Sequence, residues 1–554
     1  MNKYKNILLL FVILVLAFLL RIWCLDKPQG LWNDEYVSWF ISSRTFPTEF
    51  FTEMFKNAHM PLYYFFLKVW MFFFSDSDYS LRFSSLVLGL LSVVSMFFLG
   101  KTFKDEKLGL LCAVFSAFSG FLIYFSQEVR LYQLLFLLST LSIISWINIS
   151  RKQSFINFAI FIVLNFLLIF THTLGFIFVI FNSLTLSIVI LKQNKKLWIH
   201  LGLTWIFVSI ILLVASPLIA RIFNVEYFSQ FWSGFSCGKI FFTFADYYSP
   251  IQVNIINTPQ SLVGYVFRAN NIMYLIFGII PLTIGFIGIV RAVKEKETEL
   301  NYLLISSLLF LLTLICASIQ NKLVLETKYS VEIYPVLILA TCFGLYSIKR
   351  LFLKKLLIVL LLIIPIFHYV VNRNSVPKLG RSEGNKVVIQ LLRAAKIKPT
   401  DIVFLTYYPK DKFDKYLSGD SYKFIAIDKY NFPEYVFGGT HSYKQVVKRG
   451  KQLYYNGFQE NNTEYFNTRI YDIYVKNLKP GDRLAVVFLK NVSFFSAKQI
   501  KEITSDRNKY EKTPLMFMVF SYIRNNSLQL FSKYLKLDLI LECDDWVLVV
   551  FEKQ

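Results

Sequence analysis

Residues 7–20 read ILLLFVILVLAFLL, an unbroken apolar run that decides how the rest of the chain is interpreted. Lys3 and Lys5 precede this run, and Arg21 follows it in place of a small-residue cleavage site. A helix that crosses a bilayer core about 30 Å thick needs about 20 apolar residues. The region near 6–25 is therefore predicted to be a first membrane span that is not removed as a signal peptide.

The composition extends this interpretation to most of the 554 residues. Hydrophobic residues make up 55% of the chain, charged residues make up 17%, and the mean hydropathy is +0.49. A soluble chain would carry about 25% charged residues. We predict a multi-pass α-helical membrane protein with about 11 spans. The eleven apolar runs of suitable length lie near 6–25, 81–100, 108–126, 131–150, 155–171, 174–191, 199–219, 271–291, 301–319, 329–348 and 354–371.

The basic residues predict how these spans are oriented. If the N-terminus is cytoplasmic, more than half of the Lys and Arg residues before position 372 fall in short loops on the inside. This distribution is the one that the positive-inside rule describes. Part of the net charge of +23 is therefore a topology signal, and the remainder is spread as single lysines. That spread favours contact with anionic lipid headgroups, and nucleic acid is not predicted as a partner.

An odd number of spans places the end of the chain outside the cytoplasm. Residues 1–371 are predicted to be a transmembrane domain with two long outside loops, 26–80 and 220–268, and residues 372–554 a soluble α/β domain on the non-cytoplasmic side. The hydrophobic patterns and turn residues of this second domain predict its elements. These are helices over 385–396 and 496–504, strands over 401–408 and 483–490, and two strands over 537–552 joined near Asp544-Asp545.

The first outside loop contains the sequence LWNDEYVSWF at residues 31–40. From Asp34 onward the pattern predicts a helix that lies on the membrane surface. Its interfacial anchors would be Trp32, Tyr36, Trp39 and Phe40. The adjacent carboxylates Asp34 and Glu35 would lie among aromatic rings that exclude water, an environment that raises the basicity of a carboxylate. The alternative is that Asp34 only caps the helix.

Further ionisable residues lie at the predicted outer ends of other spans. Glu128 and Arg130 stand between spans 3 and 4, His172 between spans 5 and 6, and Lys328 at the start of span 10. Charges at membrane depth are costly and therefore indicate function. Two structural alternatives remain: Glu128 and Arg130 pair with each other to fix two helices, or His172 makes a hydrogen bond between helices.

This combination of residue types suits the transfer of a group from a phosphate leaving group. A carboxylate acts as the base that deprotonates an acceptor hydroxyl. Arginine and lysine stabilise the departing phosphate. At a membrane face, a phosphate-bearing donor is expected to be a lipid.

The ordered set of motifs resembles the glycosyltransferase C superfamily over roughly residues 1–350. Within it, the resemblance is to bacterial polyprenyl-phosphate-sugar transferases related to protein O-mannosyltransferases and to the lipid A aminoarabinose transferase. The matching motifs are Asp34-Glu35, HMPLYY at 59–64, SLRF at 80–83, QEVRLY at 127–132 and THTLG at 171–175. Two positions depart from the pattern. Met60 replaces the second residue of His-Pro-Pro, and Lys328 replaces an arginine, which predicts weaker or monodentate phosphate contact there.

The resemblance implies a polyprenyl-phosphate-linked sugar donor, a site that faces outward, and location in a bacterial inner membrane. Asp34 is then expected to be the general base, and Glu35 to assist it or to hold a divalent cation. Arg130 and Lys328 are expected to contact the donor phosphate, and Glu128 and His172 to line the sugar site. The remaining substrate-binding candidates are His59, Tyr63, Tyr132 and Tyr329.

Two other functions remain open at this point. A transporter or flippase would carry its ionisable residues at mid-span, on broken helices in two related halves. A lipid-linked oligosaccharide ligase or polymerase would have similar spans and a different outside loop. The acceptor is not predicted.

Overall fold

The structure is a computed structural model, and it describes most of the chain. The described residues are 2–23, 25–26, 30–56, 60–193, 198–224, 247, 269–320, 327–373, 385–405, 415–417, 422–426, 471–489, 528, 530–543 and 546–554. Two compact units are present. Unit 1 comprises Met1–Asp26 and Asp34–Ser375, and unit 2 comprises Lys27–Asn33 and Val376–Gln554.

Unit 1 is helical. Its described helices are α1 (Asn2–Ile22), α2 (Asn33–Ser43, of which Asn33 belongs to unit 2), α3 (Thr48–Lys56), α4 (Pro61–Phe73), α5 (Asp78–Phe103), α6 (Glu106–Phe118), α7 (Gly120–Phe125), α8 (Tyr132–Arg151), α9 (Phe155–Ile169), α10 (Gly175–Gln193), α11 (Trp198–Asn224), α12 (Ala269–Lys294), α13 (Thr298–Ile319), the 3-10 helix Thr327–Ile333, α14 (Tyr334–Tyr346) and α15 (Leu351–Arg373).

Each of the eleven apolar runs coincides with a described helix or with two consecutive helices. Six helices in the described part of the chain are long and apolar enough to cross a membrane. A mostly helical architecture with membrane-spanning helices is therefore confirmed, and the count of about 11 spans stays a prediction.

The third predicted span is interrupted. Helix α6 ends at Phe118 and α7 begins at Gly120, because Ser119 adopts φ −64° and ψ 116°, and its side chain accepts a hydrogen bond from the N–H of Leu122. Ser-Gly is a sequence signal for such a break, which the prediction of one continuous run passed over. The buried guanidinium of Arg21 donates to the carbonyls of Ser116 (3.1 Å) and Ala117 (2.8 Å) at the end of α6.

The described residues of loop 26–80, which is predicted to lie outside, form the helices α2, α3 and α4. Helix α2 confirms the helix predicted near Asp34. Tyr36 is only 4% exposed, so its prediction as an interfacial anchor was wrong. Neither α3 nor α4 was predicted from the sequence. Pro61, in the first turn of α4, fits a helix start because its missing N–H would have no partner there. The second outside loop, 220–268, lies outside the described residues apart from 220–224 and Tyr247.

Two helices of unit 1 cross at a contact made possible by glycine. A Cβ atom on Gly288 of α12 would lie 1.9 Å from the carbonyl oxygen of Ala340 of α14, and one on Gly344 would lie 2.4 Å from that of Ile284. Small residues at such crossings allow close packing of membrane helices. Any larger side chain at either position would force α12 and α14 apart.

The loops predicted to be cytoplasmic meet at one end of unit 1. There Lys104 pairs with Glu297 (3.3 Å), and Arg151 pairs with Glu299 (2.8 Å). Tyr346 at the end of α14 donates to Asp105, which also caps α6. These contacts explain why the loops carry acids as well as the expected basic residues. The side of the membrane on which this end lies stays a prediction.

A reporter experiment tests that orientation. Alkaline phosphatase is active only outside the cytoplasm, so we expect activity when it is fused after Gln554. The same enzyme fused after Lys152, in the short loop between α8 and α9, is the matched control and should be inactive. The reverse pattern would invert the topology and place the loop that contains Asp34 and Glu35 in the cytoplasm.

Unit 2 contains a five-stranded sheet in the order β2-β1-β3-β5-β4. Strand β1 pairs in parallel with both β2 and β3. Strand β5 pairs antiparallel with both β3 and β4. Helix α16 packs its buried face, including Val388 and Leu392, against a core that contains Val403 and Val487. The elements of this unit are α16 (Asn385–Ala394), β1 (Ile402–Leu405), β2 (Lys423–Ala426), a π-helical turn (Tyr471–Val475), β3 (Arg483–Leu489), β4 (Lys536–Cys543) and β5 (Trp546–Glu552).

The first predicted helix of this unit and all four predicted strands are confirmed within a few residues. Strand β2 was not predicted from the sequence. The helix predicted over 496–504 and the turn at Asp544-Asp545 lie outside the described residues.

Candidate active site

The first turn of α2 presents the two adjacent carboxylates in different environments. Asp34 is the second residue of the helix, so its charge interacts with the positive end of the helix dipole. Its side chain is 33% exposed, whereas that of Glu35 is fully buried. Asp34 can therefore meet a ligand, and Glu35 faces protein.

Glu35 forms a buried ion pair with Arg82 of α5. Its Oε1 accepts from Arg82 Nε (2.9 Å), and its Oε2 accepts from Arg82 Nη2 (2.6 Å). Oε1 also accepts from the backbone N–H of Val129 (3.0 Å). Arginine suits this geometry because its planar group matches a carboxylate in two parallel hydrogen bonds. The pair joins α2, α5 and the turn between α7 and α8.

Arg130 approaches Asp34 from that same turn. Its Nη1 donates to the backbone carbonyl of Asp34 (3.1 Å) and to Ser38 Oγ (3.4 Å), and its Nη2 lies 3.7 Å from Asp34 Oδ2. The guanidinium also lies 5.8 Å from the ring centre of Tyr132. The acid nearest to this arginine on α2 is thus the candidate base. Glu128, two residues earlier, acts electrostatically on Arg82.

The turn itself is attached to the end of α1. The side-chain amide of Gln127 donates to the carbonyls of Arg21 and Trp23, at 2.8 Å each. Arg21 in turn donates to Ser126 Oγ (3.0 Å). These hydrogen bonds fix the backbone from which Glu128 and Arg130 project.

Helix α4 supplies two buried tyrosines. Tyr63 and Tyr64 are both fully buried, and Tyr64 lies within electrostatic range of Arg130 and Asp34. The N–H of Leu62 donates to the carbonyl of Phe170 (2.9 Å), which brings the start of α4 beside the end of α9. Two motifs that are distant in sequence therefore meet here. His59 lies outside the described residues.

A second group of residues surrounds His172, in the turn between α9 and α10. Its Nδ1 lies 3.3 Å from Oε1 of Glu332, which is fully buried. The ring of Tyr329 stacks nearly parallel to the imidazole with 6.2 Å between centres, and Lys328 Nζ lies 5.1 Å from the ring centre of Tyr329. The hydrogen-bonding alternative for His172 is thus realised, with a carboxylate as partner.

Sequence reasoning missed Glu332 and gave Arg82 no role. Arg82 appeared only within a motif, and Glu332 stands in the uninformative sequence SVEIY. The signal that would have found both is the cost of a charge at membrane depth, which demands a partner. Oε2 of Glu332 is buried and has no hydrogen-bond partner among the described residues. A buried carboxylate oxygen of this kind can accept a hydrogen bond from a ligand.

No group of three or more His, Cys, Asp and Glu side chains within the described residues is arranged to hold a metal ion. Both oxygens of Glu35 are occupied by Arg82 and Val129. The geometry therefore favours a positioning role for Glu35 over contact with a divalent cation. What the site offers is one accessible carboxylate, Asp34, bordered by Arg130 and by tyrosine rings.

Solved structures provide a comparison for this arrangement. ArnT from Cupriavidus metallidurans in the apo state has a TM-score of 0.52 with 12% sequence identity, over 99% of this chain and 98% of that one. The same protein bound to undecaprenyl phosphate has a TM-score of 0.51 with the same identity and coverage. The chain therefore has the same overall fold as ArnT. The predicted resemblance is thereby confirmed at the level of the fold.

The remaining comparisons add less. An Archaeoglobus fulgidus oligosaccharyltransferase in the apo form has a TM-score of 0.48 at 11% identity, over 97% of this chain and 73% of that one. No protein-family model and no curated protein matches the sequence.

Proposed function

We propose that this chain is a membrane glycosyltransferase that moves a sugar from a polyprenyl-phosphate carrier to an acceptor outside the cytoplasm. The observation that carries the proposal is the accessible carboxylate of Asp34, 3.7 Å from Arg130, at the end of a glycosyltransferase C fold. The ArnT structure with undecaprenyl phosphate shows that a protein of this fold binds a polyprenyl phosphate.

The reaction needs a base and a stabilised leaving group. An acceptor hydroxyl oxygen attacks the anomeric carbon of the sugar, and the bond from that carbon to the phosphate oxygen breaks. The hydroxyl proton passes to the carboxylate of Asp34, and the polyprenyl phosphate leaves with the bonding electrons. Asp34 suits this role because its side chain is partly exposed and Arg130 holds it in place from one side.

Two cations are proposed to bind the donor phosphate. Arg130 is held by a carbonyl and a hydroxyl, so its position is set before a ligand arrives, which favours electrostatic stabilisation of developing charge. Lys328 lies over Tyr329 in the same unit and would add a second, monodentate contact. Tyr63, Tyr132 and His59 stay proposed contacts of the donor.

The sugar is proposed to lie beside Glu128, His172 and Glu332. The free Oε2 of Glu332 would accept from a sugar hydroxyl, and His172 orients that carboxylate through Oε1. A buried polar atom that finds a hydrogen-bond partner only in the correct substrate makes a site selective. Sugars that lack the hydroxyl that donates this hydrogen bond are then strongly disfavoured.

Lipid analysis tests the overall proposal. In a strain that lacks this chain, extracted lipids should accumulate a polyprenyl-phosphate sugar that mass spectrometry detects. A plasmid with the wild-type chain should remove it, and one with Asp34→Asn should not. Lipid extracts that are identical with and without the wild-type chain would reject the proposed donor.

Arg130→Ala is expected to raise the KM for the donor by about 10- to 100-fold, because a hydrogen bond to a charged group contributes about 1.5–3 kcal/mol. Arg130→Lys should recover part of this loss, since it keeps the charge but not the planar fork. Arg151→Ala, at the opposite end of the helices of unit 1, is the matched control and should leave the KM unchanged. A normal donor KM in Arg130→Ala would make Arg130 a purely structural partner of Asp34.

A further inference from the structure

Unit 2 contains a short segment of the first outside loop, immediately before the candidate base. Of this segment, Lys27–Asn33, the structure describes residues 30–33. Leu31 is fully buried, and its backbone N–H donates to the hydroxyl of Tyr416 (2.7 Å). The two residues are 385 positions apart. The backbone of Leu31, two residues before α2 begins, is thus held by the hydroxyl of Tyr416.

Tyr416 is itself held in place. The guanidinium of Arg393, at the end of α16, donates to the carbonyls of Tyr416 and Leu417, both at 3.1 Å. The side chains of Tyr416 and Leu417 pack against the core formed by α16 and the sheet. Because both the backbone and the ring of Tyr416 are held in this way, the position of its hydroxyl is fixed.

Gly30 shows that the fit around this hydroxyl is close. Its φ of +83° is a conformation that residues with a Cβ rarely adopt. A Cβ atom there would also lie 2.6 Å from the Tyr416 hydroxyl and 2.9 Å from Cβ of Lys386. The backbone at Gly30 and Leu31 is therefore shaped to meet Tyr416 directly.

We infer that Tyr416 is a positioning residue for Asp34. Asp34 follows Leu31 by three residues, and α2 begins between them at Asn33. The hydrogen bond at Leu31 sets where the first turn of α2 starts and hence where the Asp34 carboxylate lies. This inference rests on the proposed function, and Tyr416 acts on Asp34 only through the backbone of residues 31–34.

Tyr416→Phe removes only the hydroxyl. We expect kcat to fall about tenfold, because displacement of a catalytic group by a fraction of an ångström is costly. The KM for the donor should change less than kcat, since the residues proposed to bind phosphate and sugar lie on other elements than α2. Hydrogen exchange should become faster at the Leu31 amide and across residues 36–40 of α2, while exchange in β3 and β5 stays as in the wild type.

Tyr534→Phe, an exposed tyrosine of the same unit, is the matched control and should change neither kcat nor exchange. Unchanged exchange at Leu31 and α2 in Tyr416→Phe would overturn the inference, and so would faster exchange with a normal kcat. If the wild-type chain transfers no sugar, the proposed function fails by itself. The exchange at α2 would then still decide whether Tyr416 positions Asp34.

Gly30→Ala provides a second route to the same effect. The added methyl group would push against the Tyr416 hydroxyl, so kcat should fall by a larger factor than the donor KM changes. The same substitution at Gly202, where an added Cβ meets nothing within 4 Å, is the control for the loss of a glycine. A fully active Gly30→Ala variant with normal exchange at Leu31 would contradict the proposed close fit.

Discussion

Asp34→Asn should lower turnover by about 10²–10⁴-fold, the range that general-base catalysis contributes. The substitution keeps the size of the side chain and removes its ability to take a proton. Because Asp34 lies in the first turn of α2 and is partly exposed, the structural cost is the loss of a dipole interaction, about 0.3–1 kcal/mol, and of the ion pair with Arg130, about 0–1 kcal/mol. The protein should therefore insert and melt almost as the wild type does. Sugar transfer in detergent, together with a thermal melt, measures both effects.

Glu49→Gln is the matched control for this substitution. Glu49 is also an acid in the first turn of a helix in the same outside loop, α3. Hydrogen bonding to the backbone of Thr45 holds the pKa of Glu49 below its ordinary value, so the control also removes a full negative charge at neutral pH. It should leave turnover unchanged. An active, normally folded Asp34→Asn variant would remove Asp34 as the base and leave it a structural partner of Arg130.

The helical part of the fold was readable from the sequence because hydropathy acts locally. A run of about 20 apolar residues has one stable arrangement in a bilayer, whatever its neighbours are. Charge placement in short loops is also a local signal, and the loops that it grouped do meet at one end of unit 1. The break at Ser119 was missed because its signal is two residues long within an apolar run.

The sequence predicted which residues lie near the candidate site, but not which of them contact each other. The order of the spans placed Asp34, Glu35 and Arg130 at the same end of the helices. In a chain that crosses a membrane repeatedly, every second loop lies on the same side. It could not tell which of two adjacent acids would be buried. That outcome depends on the rotation of α2, which brings Glu35 to Arg82 and Val129 and leaves Asp34 accessible. The contact between Leu31 and Tyr416 is invisible to any local pattern, because its two residues belong to distant segments of the chain.

Glu35→Gln should destabilise the protein far more than Asp34→Asn does, although the two acids are neighbours. Arg82 would remain fully buried without the carboxylate that it contacts, and breaking a buried pair in this way costs about 3–5 kcal/mol. Since a folded domain is stable by only about 5–15 kcal/mol, yield and melting temperature should both drop sharply. Any loss of activity would follow the loss of folded protein.

The double variant Glu35→Leu with Arg82→Met separates a structural pair from a catalytic carboxylate. Both charges leave together, and replacement of a buried pair by apolar residues is often neutral or stabilising. The melting temperature should therefore recover well above that of Glu35→Gln alone. Glu299→Gln breaks the half-exposed pair with Arg151 and should lower the free energy of unfolding by at most about 1 kcal/mol. The difference between this loss and that of Glu35→Gln measures the effect of burial. If Glu35→Gln melts like Glu299→Gln and yet loses turnover, Glu35 acts on the substrate and the positioning role assigned to it here is wrong.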